Sequence, residues 1–223
     1  MWHICIGAVA VAACSHPSAP TATHSAGPPP APRIDTINPA NVKRVAGALP
    51  PGYEVAGGIR GDASPRAVWG LDAGAKAKPS SCAALADPAA GRPQAAQGIS
   101  GSGAGGIIEA AVVELRPGPA VLDRDVVEGC RRWTMTSARA TATVGLGDAP
   151  AIDGAETVGM VTDTRTSVES GAEIDSRIYT FVAYLGDYYA FTTLTCDPGS
   201  TLPGLPPQFA ADLLAKTVAA IRG

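Results

Sequence analysis

The pattern of apolar and polar positions changes twice along the chain. An apolar run over residues 4–13 ends at Val11-Ala12-Ala13-Cys14. Residues 15–34 are rich in Pro, Ala and Ser and have no apolar periodicity. After that, apolar positions recur with the spacing of helices or of strands, which indicates a folded domain. We therefore expect three segments, at residues 1–14, 15–34 and 35–223.

Helix signals stand at both ends of the domain. Asn38 suits an N-cap, Pro39 suits the first helical turn, and Pro50-Pro51-Gly52 would end the helix. Similar signals predict further helical segments at residues 80–85, 123–129 and 207–222. The last of these carries an apolar stripe made of Phe209, Leu213, Leu214, Val218 and Ile221. The domain should therefore have an N-terminal and a C-terminal helix.

Strand-type alternation dominates the rest of the domain. The predicted strands are residues 53–59, 67–71, 106–115, 133–137, 140–146, 157–168, 174–185 and 188–195. Gly186-Asp187 joins the last two as a hairpin. Residues 106–115 are apolar enough that a helix is also possible there. The pattern predicts an α+β fold: a single twisted antiparallel β-sheet with helices packed on one face and one disulfide.

The first fourteen residues resemble a bacterial lipoprotein signal. The apolar run is too short to span a bilayer, which takes about 20 residues, and fits the core of a secretory signal. Val11-Ala12-Ala13-Cys14 resembles a lipobox, which implies that Cys14 receives a diacylglyceryl group and becomes the new N-terminus. Only Met1, Trp2 and His3 precede the run, without the usual positive charge. We expect translation to begin upstream of Met1.

The segment after Cys14 has the composition of a spacer. Residues 15–34 contain little apolar surface to offset the entropy of ordering, so we expect a disordered tether. Proline-rich chain of this kind is extended and semi-rigid. Such a spacer would hold an anchored domain clear of the membrane.

Composition and charge limit the classes of partner. The net charge of the 223-residue chain is −3, and no charged side chain precedes Arg33. A mildly acidic domain does not attract phosphate backbones, so we expect no nucleic-acid partner. Arginine outnumbers lysine, and Ala, Gly and Pro are abundant, which favours a GC-rich genome such as that of an actinobacterium.

Three cysteines remain once Cys5 and Cys14 are assigned to the signal. In an extracytoplasmic compartment they allow one disulfide and one free thiol. Positions near predicted helix ends favour the pair Cys82–Cys130 and leave Cys196 free; the two pairings that include Cys196 remain open. A zinc site is disfavoured, because the chain has no Cys-x-x-Cys pair and no histidine near these cysteines.

The absence of histidine after residue 24 restricts the chemistry of the domain. His3, His16 and His24 all precede it, which removes Ser-His-Asp and Cys-His catalysis and histidine-based metal sites. We expect no catalytic residue, no metal and no cofactor.

Three weaker patterns have ordinary structural explanations. Gly101 to Gly106 matches G-x-G-x-x-G, but a glycine-rich flexible hairpin loop explains it better. Arg131-Arg132-Trp133 could form a cation–π anion pocket, although packing of Trp133 in the core is favoured. The carboxylates are scattered over different elements and are better explained as solvated charges; they are Asp123, Asp125, Asp153, Glu156 and Asp163.

Several segments together resemble a family of mycobacterial lipoproteins that carry a domain of unknown function (Lpp/Lpq-type). They are Leu-Pro-Pro-Gly-Tyr-Glu-Val at 49–55, Pro-Ser-Ser-Cys-Ala-Ala-Leu-Ala-Asp-Pro at 79–88, and Ala-Ala-Asp-Leu-Leu-Ala-Lys-Thr at 210–217. The arrangement is also loosely similar to the extracellular sensor domain of the mycobacterial kinase PknH. Neither resemblance implies a catalytic residue.

The sequence therefore predicts a lipid-anchored protein on the extracytoplasmic face of the cell membrane. We expect it to bind a small apolar or lipid-like ligand without acting as an enzyme. One alternative is a sensory or accessory domain that contacts another envelope protein. Another is a histidine-free hydrolase that uses two carboxylates.

Overall fold

The structure, a computed structural model, describes residues 36–59, 63–92, 94–196, 201 and 203–223. These residues lie in one unit that spans Asp35–Gly223. The predicted signal with Cys14, and the predicted tether, lie outside the described residues.

Helical segments occur at both ends of the domain and in its first half. The N-terminal segment, Pro39–Ala48, is a 3-10 helix. The α-helices are α1 (Pro65–Val68), α2 (Ala83–Ala86, after a 3-10 turn at Ser80–Cys82), α3 (Arg124–Gly129) and α4 (Pro207–Arg222). The predicted N-terminal and C-terminal helices are confirmed. The Asn38 side chain caps the first helix by accepting a hydrogen bond from the Ala40 amide at 3.1 Å.

Nine strands form one sheet among the described residues. They are β1 (Glu54–Gly57), β2 (Lys76–Lys78), β3 (Gln94–Gly103), β4 (Gly106–Leu115), β5 (Arg132–Thr136), β6 (Ala140–Gly147), β7 (Glu156–Ser167), β8 (Glu173–Leu185) and β9 (Tyr188–Cys196). Their order across the sheet is β1-β3-β4-β9-β8-β7-β6-β5-β2. Every neighbouring pair is antiparallel, which confirms the predicted sheet-dominated fold.

Two local predictions are wrong, and one strand was not predicted. Residues 67–71, expected as a strand, belong to α1 and the turn after it, because the Ser64 side chain caps a helical turn and Trp69 is buried against the sheet. The short strand β2 was not expected. The glycine-rich segment around Gly101, expected as a flexible hairpin loop, does lie in the hairpin of β3 and β4, but it is mostly strand, and the turn is confined to residues 104–105.

Two separate hydrophobic clusters show that helical segments pack on both faces of the sheet. The α4 face packs the N-terminal 3-10 helix and α4 against β3, β4, β8 and β9. The disulfide face, opposite to it, packs α1, α2 and the Cys82–Cys130 pair against β4 to β9. The prediction of helices on one face is therefore corrected. The strands in the middle of the sheet carry apolar side chains at successive positions, such as Val112 and Val113, and need a cover on each side.

The α4 face is only half covered. Helix α4 and the 3-10 helix contact β3, β4, β8 and β9, and the apolar cluster of this face contains no side chain from β2, β5 or β6. On the uncovered strands the outward positions are polar or glycine, such as Thr134, Thr141 and Gly145, while Trp133 and Val144 point to the disulfide face. The covered and uncovered halves of this face therefore meet along β7 and β8.

Candidate functional site

A groove runs along this border, between the start of α4 and strands β7 and β8. Its volume is about 410 Å³, which lies in the range of small-molecule sites. It is lined by Gly147, Asp148, Ala149, Pro150, Met160, Val161, Tyr179, Phe181, Pro207, Gln208 and Ala211. Most of these residues are apolar, and Asp148 is the one ionisable carboxylate among them. Met160 contributes backbone to the groove, because its side chain is buried in the cluster of the disulfide face. We call this space the α4 groove.

One wall of the α4 groove is the segment Gly147–Pro150, which follows β6. The carbonyl oxygen of Asp148 lies so close to Gly159 that a Cβ at residue 159 would clash with it. Glycine in a strand often marks such a close approach of another backbone. Thr157 then holds the segment by donating a hydrogen bond from Oγ1 to the carbonyl oxygen of Pro150 at 2.8 Å.

The other wall is the first turn of α4. Ala211 is buried and small, so the helix surface beside Phe181 is shallow. The hydroxyl of Thr192 in β9 donates to the carbonyl oxygen of Ala210 at 2.7 Å, which fixes this turn on the sheet. Gln208 is exposed and donates to the Asp212 carboxylate at 2.8 Å, so its side chain is directed along the helix. The groove is thus built from two walls that the sheet itself positions.

The floor of the α4 groove continues towards the uncovered half of the sheet. Tyr179 pairs with Val161, Val161 with Gly145, and Gly145 with Arg132, so these four residues form one row across four strands. Strands are about 4.8 Å apart, which places Arg132 about 10 Å from Val161. Gly145 has no side chain between them, and a Cβ there would meet only the carbonyl oxygen of Arg131, at 3.9 Å.

Charged side chains on the uncovered half fall into two groups. Arg177 is paired with Asp163 at 2.7 Å, and Arg165 with Asp175 at 3.0 Å, and each of these contacts raises the pKa of its guanidinium. The second group, Lys76, Lys78 and Arg132, is exposed and has no ion pair within the described part of the chain. This second group leaves a cationic strip beside the groove.

The cysteines take distinct positions. Cys82 and Cys130 are buried and joined by a disulfide that links the turn before α2 to the end of α3. Cys196, at the end of β9, has a free thiol and is half-buried. Burial raises the pKa of the Cys196 thiol, and the charge of Arg177 opposes this shift. The free thiol is outside the α4 groove. Cys14 lies outside the described residues.

Arg131-Arg132-Trp133 does not form a cation–π pocket. Trp133 is buried in the cluster of the disulfide face, while Arg131 and Arg132 are exposed. The alternation of strand β5 directs Arg132 to the face opposite Trp133. The sequence interpretation in which Trp133 packs in the core is confirmed. The Arg132 side chain lies on the uncovered part of the α4 face.

The remaining candidates from the sequence are dispersed. Gly101 lies in β3 and Gly106 opens β4, so the glycine pattern forms a hairpin and does not open a helix as a nucleotide loop does. The Asp123 carboxylate caps α3 by accepting from the amides of Asp125 and Val126. Glu156 pairs with Arg124 at 3.0 Å. Asp153 and Asp163 are exposed and lie on other segments, so these carboxylates do not assemble into one site.

A shallower groove beside α3 contains two carboxylates. Leu122, Arg124, Val127, Glu128, Glu156 and Thr157 line its volume of about 390 Å³. Glu128 and Glu156 are both exposed, and Glu156 is held by Arg124. General-acid carboxyls in glycosidases are desolvated, which these are not. This groove gives little support to a carboxylate hydrolase.

One partly buried carboxylate, that of Glu109, was not predicted from the sequence as a candidate site residue. Glu109 lies in β4 on the disulfide face, between Ser100 of β3 and the buried Thr193 of β9. Burial raises the pKa of the Glu109 carboxyl. The signal that could have revealed it was a glutamate in the middle of the apolar run 106–115, because the other glutamate of the run, Glu114, lies at the end of the strand. It lies apart from the α4 groove.

The α4 groove was not predicted from the sequence either. Its walls come from residues about 60 positions apart in the chain, at Gly147–Pro150 and at Pro207–Ala211, and local periodicity does not reveal which helix lies over which strand. The available signal was the set of glycines on the same face of neighbouring strands, Gly145, Gly147 and Gly159. Glycines at such positions predict either that another backbone segment lies close to the sheet or that no side chain covers it there.

The described residues contain neither a cluster of metal-binding side chains nor a helix that could span a membrane. No group of three or more His, Cys, Asp or Glu side chains in this part of the chain could hold a metal ion. No helix in the described ranges has the length and hydropathy needed to cross a bilayer.

Comparisons with known proteins give a family and a fold. A family model described as a domain of unknown function, DUF5642, matches residues 38–222. The X-ray structure of an uncharacterized Mycobacterium smegmatis protein, described as an Rv0999 ortholog, superposes with a TM-score of 0.61 at 24% identity. That match covers 85% of this chain and 100% of the other, and at this identity it shows a shared fold. No curated protein matches the chain.

Proposed function

We propose, on the premise that the chain belongs to the DUF5642 family of domains of unknown function, that it is a lipid-anchored envelope protein which binds a small lipid-like molecule without transforming it. The observation that carries the proposal is the α4 groove, with its volume of about 410 Å³ and its mostly apolar lining. Binding sites for small molecules are usually concave, apolar and largely preformed, with few polar groups. The proposal includes no cofactor.

The lipid anchor is supported by the sequence alone. Val11-Ala12-Ala13-Cys14 is followed by a Pro-rich segment, and this order is typical of an acylated cysteine with a spacer. Two or three acyl chains on one residue give stable membrane attachment. Such an anchor would hold the α4 groove near lipids on the extracytoplasmic face of the cell membrane.

The anchor can be tested by expressing the natural gene and a Cys14→Ser variant in an actinobacterial host. We expect the natural protein to partition into the detergent phase and to incorporate an alkyne-labelled fatty acid, and the variant to do neither. A Cys5→Ser variant is the matched control and should behave as the natural protein. Unchanged partitioning of Cys14→Ser would contradict the anchor.

The groove can be tested with the neutral fluorophore N-phenyl-1-naphthylamine on the full chain carrying Cys14→Ser, which should not be acylated. We expect saturable binding, and we expect Val161→Trp to weaken it at least about tenfold, because the indole fills the space between β7 and α4. Thr136→Trp, which places the same side chain on the exposed end of β5, is the control. Absence of binding, or equal loss in both variants, would contradict the proposal.

The sensory or accessory alternative makes a different prediction. If the domain reports to another envelope protein, crosslinking in intact cells should give reproducible protein partners, and Val161→Trp should leave those crosslinks unchanged. A ligand-binding protein should instead lose its bound molecule in that variant, as seen by native mass spectrometry. The two roles are therefore separated by one variant and two readouts.

A further inference from the structure

We propose, resting on the function above, that the ligand is a single-chain anionic amphiphile. Its chain lies in the α4 groove, and its anionic headgroup lies over Gly145, against Arg132 and Lys78. The juxtaposition that carries this inference is an apolar groove that opens, across the glycine at 145, onto cationic side chains that have no ion-pair partner among the described residues.

The first step is the placement of the cations. Lys78 pairs with Thr134 and Arg132 with Gly145, so the two cations are diagonal neighbours on β2 and β5. Diagonal neighbours of this kind have backbones about 7–8 Å apart, and both side chains point to the α4 face. One small anion can therefore contact both cations.

The second step is that this positive charge is not already neutralised. Arg165 and Arg177, on the same face, each have an aspartate partner at 3.0 Å and 2.7 Å. Arg132 and Lys78 have no such partner within the described residues. An arginine can bind a carboxylate or a phosphate through two parallel hydrogen bonds, which favours an anionic group here.

The third step is the open path from groove to cations. Val161 forms part of the groove lining and is the cross-strand partner of Gly145, which is the partner of Arg132. Any larger residue at 145 would separate the apolar and cationic regions. The hydroxyl groups of Thr134 and Thr143, which face each other in the next row, add hydrogen-bonding capacity beside the same spot.

The fourth step is the orientation of the ligand. Asp148, the carboxylate of the groove lining, follows the end of β6, three residues beyond Gly145. It would repel a headgroup at that end and favours one near Arg132. A neutral lipid would gain no charge-assisted hydrogen bond from these cations, and a cationic amphiphile would be repelled by them.

The test uses the full chain with Cys14→Ser and three probes that differ in the headgroup: palmitate, hexadecanol and hexadecyltrimethylammonium. Each displaces bound N-phenyl-1-naphthylamine. We expect palmitate to bind about tenfold more tightly than hexadecanol, the size expected of a hydrogen bond to a charged group, and the ammonium probe to bind most weakly. The preference for palmitate should decrease as salt is added.

The variant Arg132→Gln should abolish most of that preference and leave hexadecanol binding unchanged, and Lys78→Gln should have a smaller effect of the same sign. Arg139→Gln, which removes one exposed charge from the β5–β6 turn, is the matched control. Equal binding of palmitate and hexadecanol, or a preference that survives in Arg132→Gln/Lys78→Gln, would overturn this inference. Loss of fluorophore binding in the parent protein would instead overturn the proposed function.

Discussion

Trp69 is joined to Thr180 by a buried hydrogen bond, in which the indole Nε1–H donates to the hydroxyl Oγ1 at 3.0 Å. The two residues are 111 positions apart in the chain. Trp69 follows α1, and Thr180 lies in the middle of β8, so this bond connects a one-turn helix to the centre of the sheet. Tyr189 makes a similar link, donating to the carbonyl oxygen of Ala63 at 2.7 Å.

We expect Trp69→Phe to destabilise the domain by about 3 kcal/mol, because it shortens a buried side chain and leaves the Thr180 hydroxyl without its donor. Urea unfolding gives the free energy. Thr180→Val, which removes the hydroxyl with little change of shape, should cost less, and the double variant should cost less than the sum. Strictly additive losses would show that the hydrogen bond contributes nothing.

The disulfide closes a large loop. Cys82 and Cys130 are separated by 48 positions, and in the chain-entropy model a loop of this size stabilises the folded state by about 4 kcal/mol. We expect Cys82→Ala/Cys130→Ala to lower the free energy of unfolding by about that amount under oxidising conditions. Cys196→Ser, which removes the half-buried thiol, should lower it by less than about 1 kcal/mol. Equal losses would argue against a stabilising disulfide.

Glu109 should make stability depend on pH. Its pKa is raised from an ordinary value of 4.5 by burial, so the folded state favours the protonated carboxyl. That contribution is fully present below the unfolded pKa and is lost as pH rises through the folded pKa. We expect Glu109→Gln to be more stable than the natural protein at pH 7, with the difference disappearing at pH 4 or below.

Urea unfolding at both pH values measures the Glu109 effect. Glu169→Gln is the control, because Glu169 is exposed after β7 and the substitution changes the net charge equally. A Glu109→Gln protein that is less stable at pH 7 would mean that the carboxylate has a favourable partner when ionised.

Gly159 should be needed for the wall of the α4 groove. A methyl group at this position would press against the carbonyl oxygen of Asp148. We expect Gly159→Ala to destabilise the domain by about 1–3 kcal/mol, as overpacked sites do, and to weaken N-phenyl-1-naphthylamine binding. Gly129→Ala, at a position with no atom within 4 Å of the added carbon, is the control. Unchanged binding in Gly159→Ala would show that this segment does not shape the groove.

Some elements follow from local sequence because their cause is local. The hairpin of β8 and β9 is rich in aromatic and β-branched residues and turns at Gly186-Asp187, so its pairing is determined by residues close in the chain. The stripe on α4 likewise shows which side of the helix is buried, and Leu213, Leu214, Val218 and Ile221 are buried as expected. Trp133 is in the core because buried and exposed positions alternate along β5, which is also a local property of the sequence.

Other elements depend on distant residues. Trp69 favours a strand by its own preference, but a Ser64 cap and burial against Thr180 produce a helical turn followed by a loop. The glycine-rich β3 is held extended because β1 and β4 pair with it on both sides. In each case contacts from elsewhere in the chain outweigh the local preference.

The sequence by itself determined the general features of the domain. These are a sheet-rich fold with helices at both ends, no histidine after residue 24, and three cysteines that allow one disulfide. Periodicity and composition are local properties, so the sequence shows them directly. Only the tertiary structure decided that helices lie on both faces of the sheet, that those of the α4 face leave β2, β5 and β6 uncovered, and that Arg132 lies two strands away from Val161 in the α4 groove. Those facts depend on which helix packs against which strands, and local periodicity does not specify contacts between segments that are distant in the chain.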